Sequence, residues 1–261
     1  MQRKYPVRKK IVLFFAAIIV SFIFGTCGLE DYVVIYPVPQ SNITQQLNNH
    51  AVVRIPNNNT SPPFSHFVIF YRIYVSDYSE ESPTPGVFNT INTELNRDYV
   101  AISPLIDSET QVNNNMETIF LARGYKYLYL EGGNLADTVL ASSVLGNILV
   151  FDFAAGGVPT MTIGGTDVYR LWRSNGNGTF SPKPTDSRYF MNYDDIWDPQ
   201  YISTTDSADV VNKAGISAGA THYTYAAMFI VAVGMDISTH AYLYSTPSLI
   251  HVFQLPQQPQ P

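Results

Sequence analysis

Three sets of residues in this 261-residue chain have types and spacings that chemistry uses. Gly215-Ile216-Ser217-Ala218-Gly219 matches G-x-S-x-G, the sharp turn that lifts a nucleophilic serine above a sheet and opens a helix. Its surroundings argue against an elbow. Asp206 to Lys213 is largely polar where an apolar strand is required, and the segment after Gly219 reads as a strand. Acid and base would have to be Asp236 with His222, His240 or His251, so a flexible turn is the expectation. Asp194, Asp195 and Asp198, with Asp186 nearby, offer the oxygens of a calcium site or the paired acids of a glycosidase. No D-x-[DN]-x-[DN]-G loop surrounds them, which leaves a solvated acidic loop as the simpler reading. His50, His66, His222, His240 and His251 form no H-E-x-x-H and no i, i+4 pair. Neither a metal site nor a cofactor is expected. The third set is aromatic: Trp172, Tyr189, Phe190, Tyr193, Trp197 and Tyr201 lie among Arg170, Arg173 and Arg188. Rings beside arginine anchor binding surfaces, and rings stack on sugar faces. Trp172, Arg173, Arg188, Tyr193 and Trp197 are therefore the expected surface for a protein or carbohydrate ligand, although core packing explains the same residues.

All of this chemistry depends on the compartment in which the chain folds, and residues 1 to 27 speak to that. Arg3, Lys4, Arg8, Lys9 and Lys10 make a cationic start, Ile11 to Phe24 is almost wholly apolar, and Gly25-Thr26-Cys27 ends the segment. This is the layout of a secretory signal. As a helix the apolar run would extend about 21 Å, short of a bilayer core of about 30 Å. Cys27 is the only cysteine and sits where a signal peptidase would cut. Phe24-Gly25-Thr26-Cys27 resembles the lipobox of bacterial lipoproteins, in which an apolar residue and two small ones precede the cysteine that is diacylated. The resemblance implies removal of residues 1–26, lipid on Cys27, and a membrane-anchored place in the bacterial cell envelope, at the outer membrane or cell surface. An ordinary secretory signal with an incidental cysteine, or an uncleaved anchor, is the alternative. Two or three fatty chains hold a protein firmly where one holds it marginally, since each buried methylene contributes about 0.8 kcal/mol.

Beyond residue 26 the chain carries ten Lys/Arg against twenty-one Asp/Glu, a formal charge of −11 that the full-length value of −6 conceals. Such a surface repels phosphate backbones, and no basic stripe interleaves with aromatics, so nucleic acid is excluded as a partner. With one cysteine there is no intrachain disulfide, and the fold must rest on its core. Eighteen Tyr and fifteen Phe favour strands, while seventeen Pro and sixteen Gly interrupt long helices.

The elements that must hold these side chains are accordingly read as strands. Strands are predicted at 32–36, 51–55, 67–75, 99–102, 118–122, 125–130, 148–153, 168–173, 221–234, 241–244 and 248–255. Val87 to Leu95 reads as one short helix. The run from Phe67 to Val75 is apolar almost without interruption, which implies a strand covered on both faces. Gly164-Gly165 and Asn175-Gly176-Asn177-Gly178 read as hairpin turns, and 186–209 as a long surface excursion.

Phe70-Tyr71-Arg72-Ile73-Tyr74-Val75-Ser76-Asp77, Phe229-Ile230-Val231-Ala232-Val233-Gly234 and Pro247-Ser248-Leu249-Ile250-His251-Val252-Phe253 resemble strands of the fibronectin type III fold. The resemblance covers about a third of the exported part and implies an all-β, immunoglobulin-like β-sandwich. Its outer strands would come from 28–97 and 211–256, with 98–210 as a β-rich insertion and 257–261 as a Pro/Gln tail. Other β-sandwiches would give a similar strand pattern. The expected function is non-enzymatic binding or structural association at the envelope; a hydrolase with an acidic or metal-dependent site in the insertion is the alternative.

Overall fold

The computed structural model describes residues 34–46, 49–60, 63–76, 93–105, 115–130, 144–153, 159–172, 210–211 and 223–255. All of them fall in the compact unit Val34–Pro261. They form an all-β sandwich of two sheets carrying two short helices. The first sheet runs β1 (Ile43–Gln46), β2 (His50–Arg54), β6 (Ile148–Asp152), β7 (Thr160–Ile163), β8 (Asp167–Trp172) and β5 (Tyr129–Leu130), every pair antiparallel. The second is built on β3 (Phe64–Ser76) paired antiparallel with β10 (Tyr223–Met235). One edge of β10 receives β11 (Tyr242–Tyr244) and β12 (Ser248–Gln254); the far edge of β3 receives β4 (Lys126–Tyr127) and, parallel, β9 (Val210–Val211). Residues of the 98–210 segment thus supply strands to both sheets, β6 beside β2 and β4 beside β3.

Phe67 to Tyr71, Ile73 and Tyr74 are all buried. On one face Phe70 stacks on Phe120, with ring centroids 4.6 Å apart and planes 4° apart. Phe120 belongs to α2 (Met116–Ala122), which with α1 (Thr93–Ile102) covers that face. Between the sheets, Phe253 of β12 stacks on Phe153 at 4.2 Å and approaches Phe151 at 6.4 Å. The continuous apolar run in β3 is the sequence of a strand with no wet face.

Asn49, with φ of 66°, turns β1 into β2 and ties the sheets together. Its amide donates to Phe153 O at 2.7 Å and also to Gln254 O, while its Oδ1 accepts from Gln254 N at 2.8 Å. The Gly164-Gly165 turn, with φ of 58° and 82°, joins β7 to β8 as the glycine pair led one to expect.

Three sequence expectations are corrected. Residues 34–36 of the predicted first strand are not a strand, because the buried Asn59 side chain satisfies that backbone: Tyr36 N donates to Asn59 Oδ1 at 2.8 Å and Asn59 Nδ2 to Tyr36 O at 2.6 Å. The predicted strand at 99–102 is the second half of α1, where Leu95, Asp98 and Ile102 recur on one buried face. The predicted strand at 118–122 lies in α2, which Asn115 caps by accepting from Thr118 N at 3.0 Å. Burial of Met116 and Phe120 at i, i+4 completes the helical pattern. Among the described residues no helix is long and apolar enough to cross a membrane.

Candidate functional site

Where α1 and α2 meet the β3–β4 edge, the sheet presents a buried polar group inside an otherwise aromatic layer. Strand alternation puts Phe70, Arg72 and Tyr74 on the helix-facing side of β3. Phe70 packs on α2, whereas Arg72 and Tyr74 reach α1. The Arg72 guanidinium pairs with the Asp98 carboxylate through Nη1 and Oδ2, and Tyr74 donates its hydroxyl to the same oxygen at 2.7 Å. Asp98 is 3% exposed, so the arginine and the phenol replace the water that its charge would otherwise require. The Tyr125 hydroxyl lies 2.9 Å from that of Tyr74. Burial, the Tyr125 dipole and the nearby Asp98 charge push the Tyr74 pKa well above its usual value, and burial raises that of Tyr125. Both phenols therefore stay protonated and act as donors.

Arg72 and Asp98 of this network line an open cavity of about 720 Å³. Among the described residues, Arg72, Arg97, Arg123 and Lys126 line it together with Asp98. Ala101, Leu121 and Ala122 supply a short apolar wall. Arg123 follows α2 directly and donates from Nη1 to Ile119 O at 3.0 Å, which holds its stem against the helix end. Gly124 takes a φ of 81°, and a Cβ there would come within 3.1 Å of the Arg72 guanidinium. The glycine provides both the backbone reversal after α2 and the room for Arg72 to lie flat against it. Arg72 Nε is buried and finds no acceptor among the described residues.

None of the residues singled out from sequence is among the described residues that line this cavity. Trp172 ends β8, opposite Tyr129. Arg173, Arg188, Tyr193 and Trp197 lie outside the described residues, as do Asp186, Asp194, Asp195, Asp198, Ser217, His222 and Cys27. His50 meets Asp152 across β2 and β6 at 3.0 Å, His66 neighbours Ser65, and His240 sits exposed in the β10–β11 turn. Among the described residues no three His, Cys, Asp or Glu gather as metal ligands. The cavity's cations were missed because they are spread over β3, α1, the turn after α2, and β4, so no window of sequence shows them together. One signal was present: Arg72 interrupts the apolar run from Phe67 to Val75, and a charge at such a position needs a partner.

No family model, no curated protein and no solved structure matches the chain.

Proposed function

We propose that this is an exported envelope lipoprotein, anchored through lipid on Cys27, whose β-sandwich acts by binding rather than by catalysis. The observation that carries the reading is the leader itself: a cationic start, fourteen apolar residues and a lone cysteine directly after two small residues. The acidic body supports export to an aqueous face, since a charge of −11 over 235 residues keeps such a domain soluble beside its membrane. The cavity supports binding. Its volume falls in the range of about 300–1,000 Å³ typical of small-molecule sites, and fixed charges converge in it beside an apolar wall. Asp98, the one acid among its described lining residues, is engaged by Arg72 and Tyr74, which favours a part in holding the site together over a part as a base.

Metabolic labelling with radioactive palmitate tests the anchor. Label is expected in the wild-type protein and not in Cys27→Ser, which is also expected to leave the membrane fraction. Label persisting in the variant would reject lipidation at Cys27.

A further inference from the structure

We propose that the tip of the β10–β11 hairpin, with Ile237 in its turn and Met235 and Tyr242 beside it, dips into the interface of the lipid bilayer that carries the anchor and orients the sandwich against it. The inference rests on the lipid-anchor reading above and adds a second membrane contact to it.

Large apolar side chains are covered along β10, where Tyr225 to Val233 are all buried. The hairpin beyond them reverses that pattern. Met235 is 40% exposed, Ile237 67% and Tyr242 65%, and Met235 stands opposite Tyr242 as a cross-strand pair, so the three share one tip. An exposed apolar cluster of this kind marks a surface that meets a partner. Hydrogen bonds hold the tip in this form. The Asp236 carboxylate accepts from the Ser238 and Thr239 hydroxyls at 2.7 and 2.8 Å and from the Ser238 amide at 2.7 Å, while Asp236 N donates to Ala241 O at 2.9 Å and His240 N to Asp236 O at 2.8 Å. Those donors stand in for water around the carboxylate, which lowers the cost of bringing it to a headgroup layer. Chain connectivity identifies the partner as a lipid surface. A Cβ on Gly234 would meet Ile35 Cδ1 at 2.5 Å, so Ile35 packs against the base of this hairpin. Cys27 precedes Ile35 by eight residues, and eight residues of extended chain reach at most about 28 Å. A folded body of about 230 residues has a radius of gyration of about 17 Å, so lipid on Cys27 favours the hairpin end of the sandwich as the end beside the bilayer. Tyr36, next to Ile35, is exposed as well. Isoleucine and methionine suit the acyl boundary, and tyrosine, apolar in its ring and polar at its hydroxyl, suits the headgroup level. The acyl chains hold the protein, and the tip fixes which way it faces.

Depth-dependent fluorescence tests the contact. Protein purified from the membranes of cells that make it is reconstituted in vesicles of dioleoyl phosphatidylcholine, with and without phosphatidylcholine brominated on its acyl chains. Ile237→Trp and Tyr242→Trp each add a fluorophore to the wild-type background at the hairpin. Val100→Trp adds one at an exposed position of α1, the helix whose Asp98 meets Tyr74 towards the far end of β3. The added emission of both hairpin variants is expected to shift to the blue and to lose most of its intensity to the brominated lipid, while that of Val100→Trp stays as in water. Hairpin emission that the brominated lipid leaves unchanged, or equal quenching at Val100→Trp, overturns the inference. The intact mass of the same sample reads the anchor separately. Quenching at the hairpin with an unmodified Cys27 removes the anchor and keeps the contact; no quenching with a lipidated Cys27 keeps the anchor and removes the contact.

Discussion

His251 shows how a single side chain couples this fold to pH. It projects on the same face of β12 as Phe253, meeting that ring edge-on at 4.8 Å, and Phe253 in turn packs on Phe153 of the opposite sheet. Burial in this layer lowers the His251 pKa to about 4, and its Nδ1 has no partner among the described residues. The unfolded chain takes a proton at His251 below about pH 6.5, while the folded chain resists until about pH 4. Between those values the unfolded state binds more protons, so stability falls as pH falls, by a total on the order of 3 kcal/mol. His66, whose pKa burial also lowers, adds to the same slope. Asp236 acts in a separate window. Ser238 and Thr239 hydroxyls and amides hold its pKa near 2, so the stability it contributes is lost only as pH drops through the range below its ordinary value of 3.8. His251→Leu is expected to flatten urea midpoints between pH 6.5 and 4 without changing the acid limb below. A variant with the wild-type slope would show that other groups set it.

At the scale of elements, most strands were legible and the helices were not. β3, β10 and β12 follow from apolar and aromatic runs buried on both faces, β6 from apolar residues of alternating burial, and β8 and β11, each only partly buried, from β-branched and aromatic residues bounded by Gly, Asp or Pro. α1 and α2 are short and contain Tyr, Val, Ile, Thr and Phe, whose propensities favour strands. Their identity lies in spacing: Leu95, Asp98 and Ile102, then Met116 and Phe120, return to one face, and tertiary packing against β3 decides between the two structures. The β1 strand, Ile-Thr-Gln-Gln, was unreadable because its backbone partner β2, and not its side chains, makes it a strand. The bend of β10 is set by close approach. At the bulge beyond Val233, a Cβ on Gly234 would lie 2.3 Å from Pro63 O, beside the bond from Met235 N to Pro63 O at 2.7 Å. Gly234→Ala is expected to cost about 1–3 kcal/mol through backbone displacement, read as a lower urea midpoint with an unchanged slope. An unaltered midpoint would mean the Pro63 turn yields freely.

For the molecule as a whole, sandwich and leader fit one proposed account: an acidic strand-built body without disulfides, stabilised by an aromatic core, that would work outside the compartment in which it is made. That body holds a cavity whose described cations come from four elements, which is why the fold was visible in the sequence while the site was not. Most of the strand pattern is local. The cavity's charges are not, since Arg72 and Lys126 are neighbours only through the pairing of β3 with β4. The measurement closest to the central claim is the intact mass of the protein taken from the membranes of cells that make it. The account predicts a chain beginning at Cys27 and heavier than its residues by a diacylglyceryl group, with or without a further acyl chain. A chain still beginning at Met1 with an unmodified thiol would contradict it.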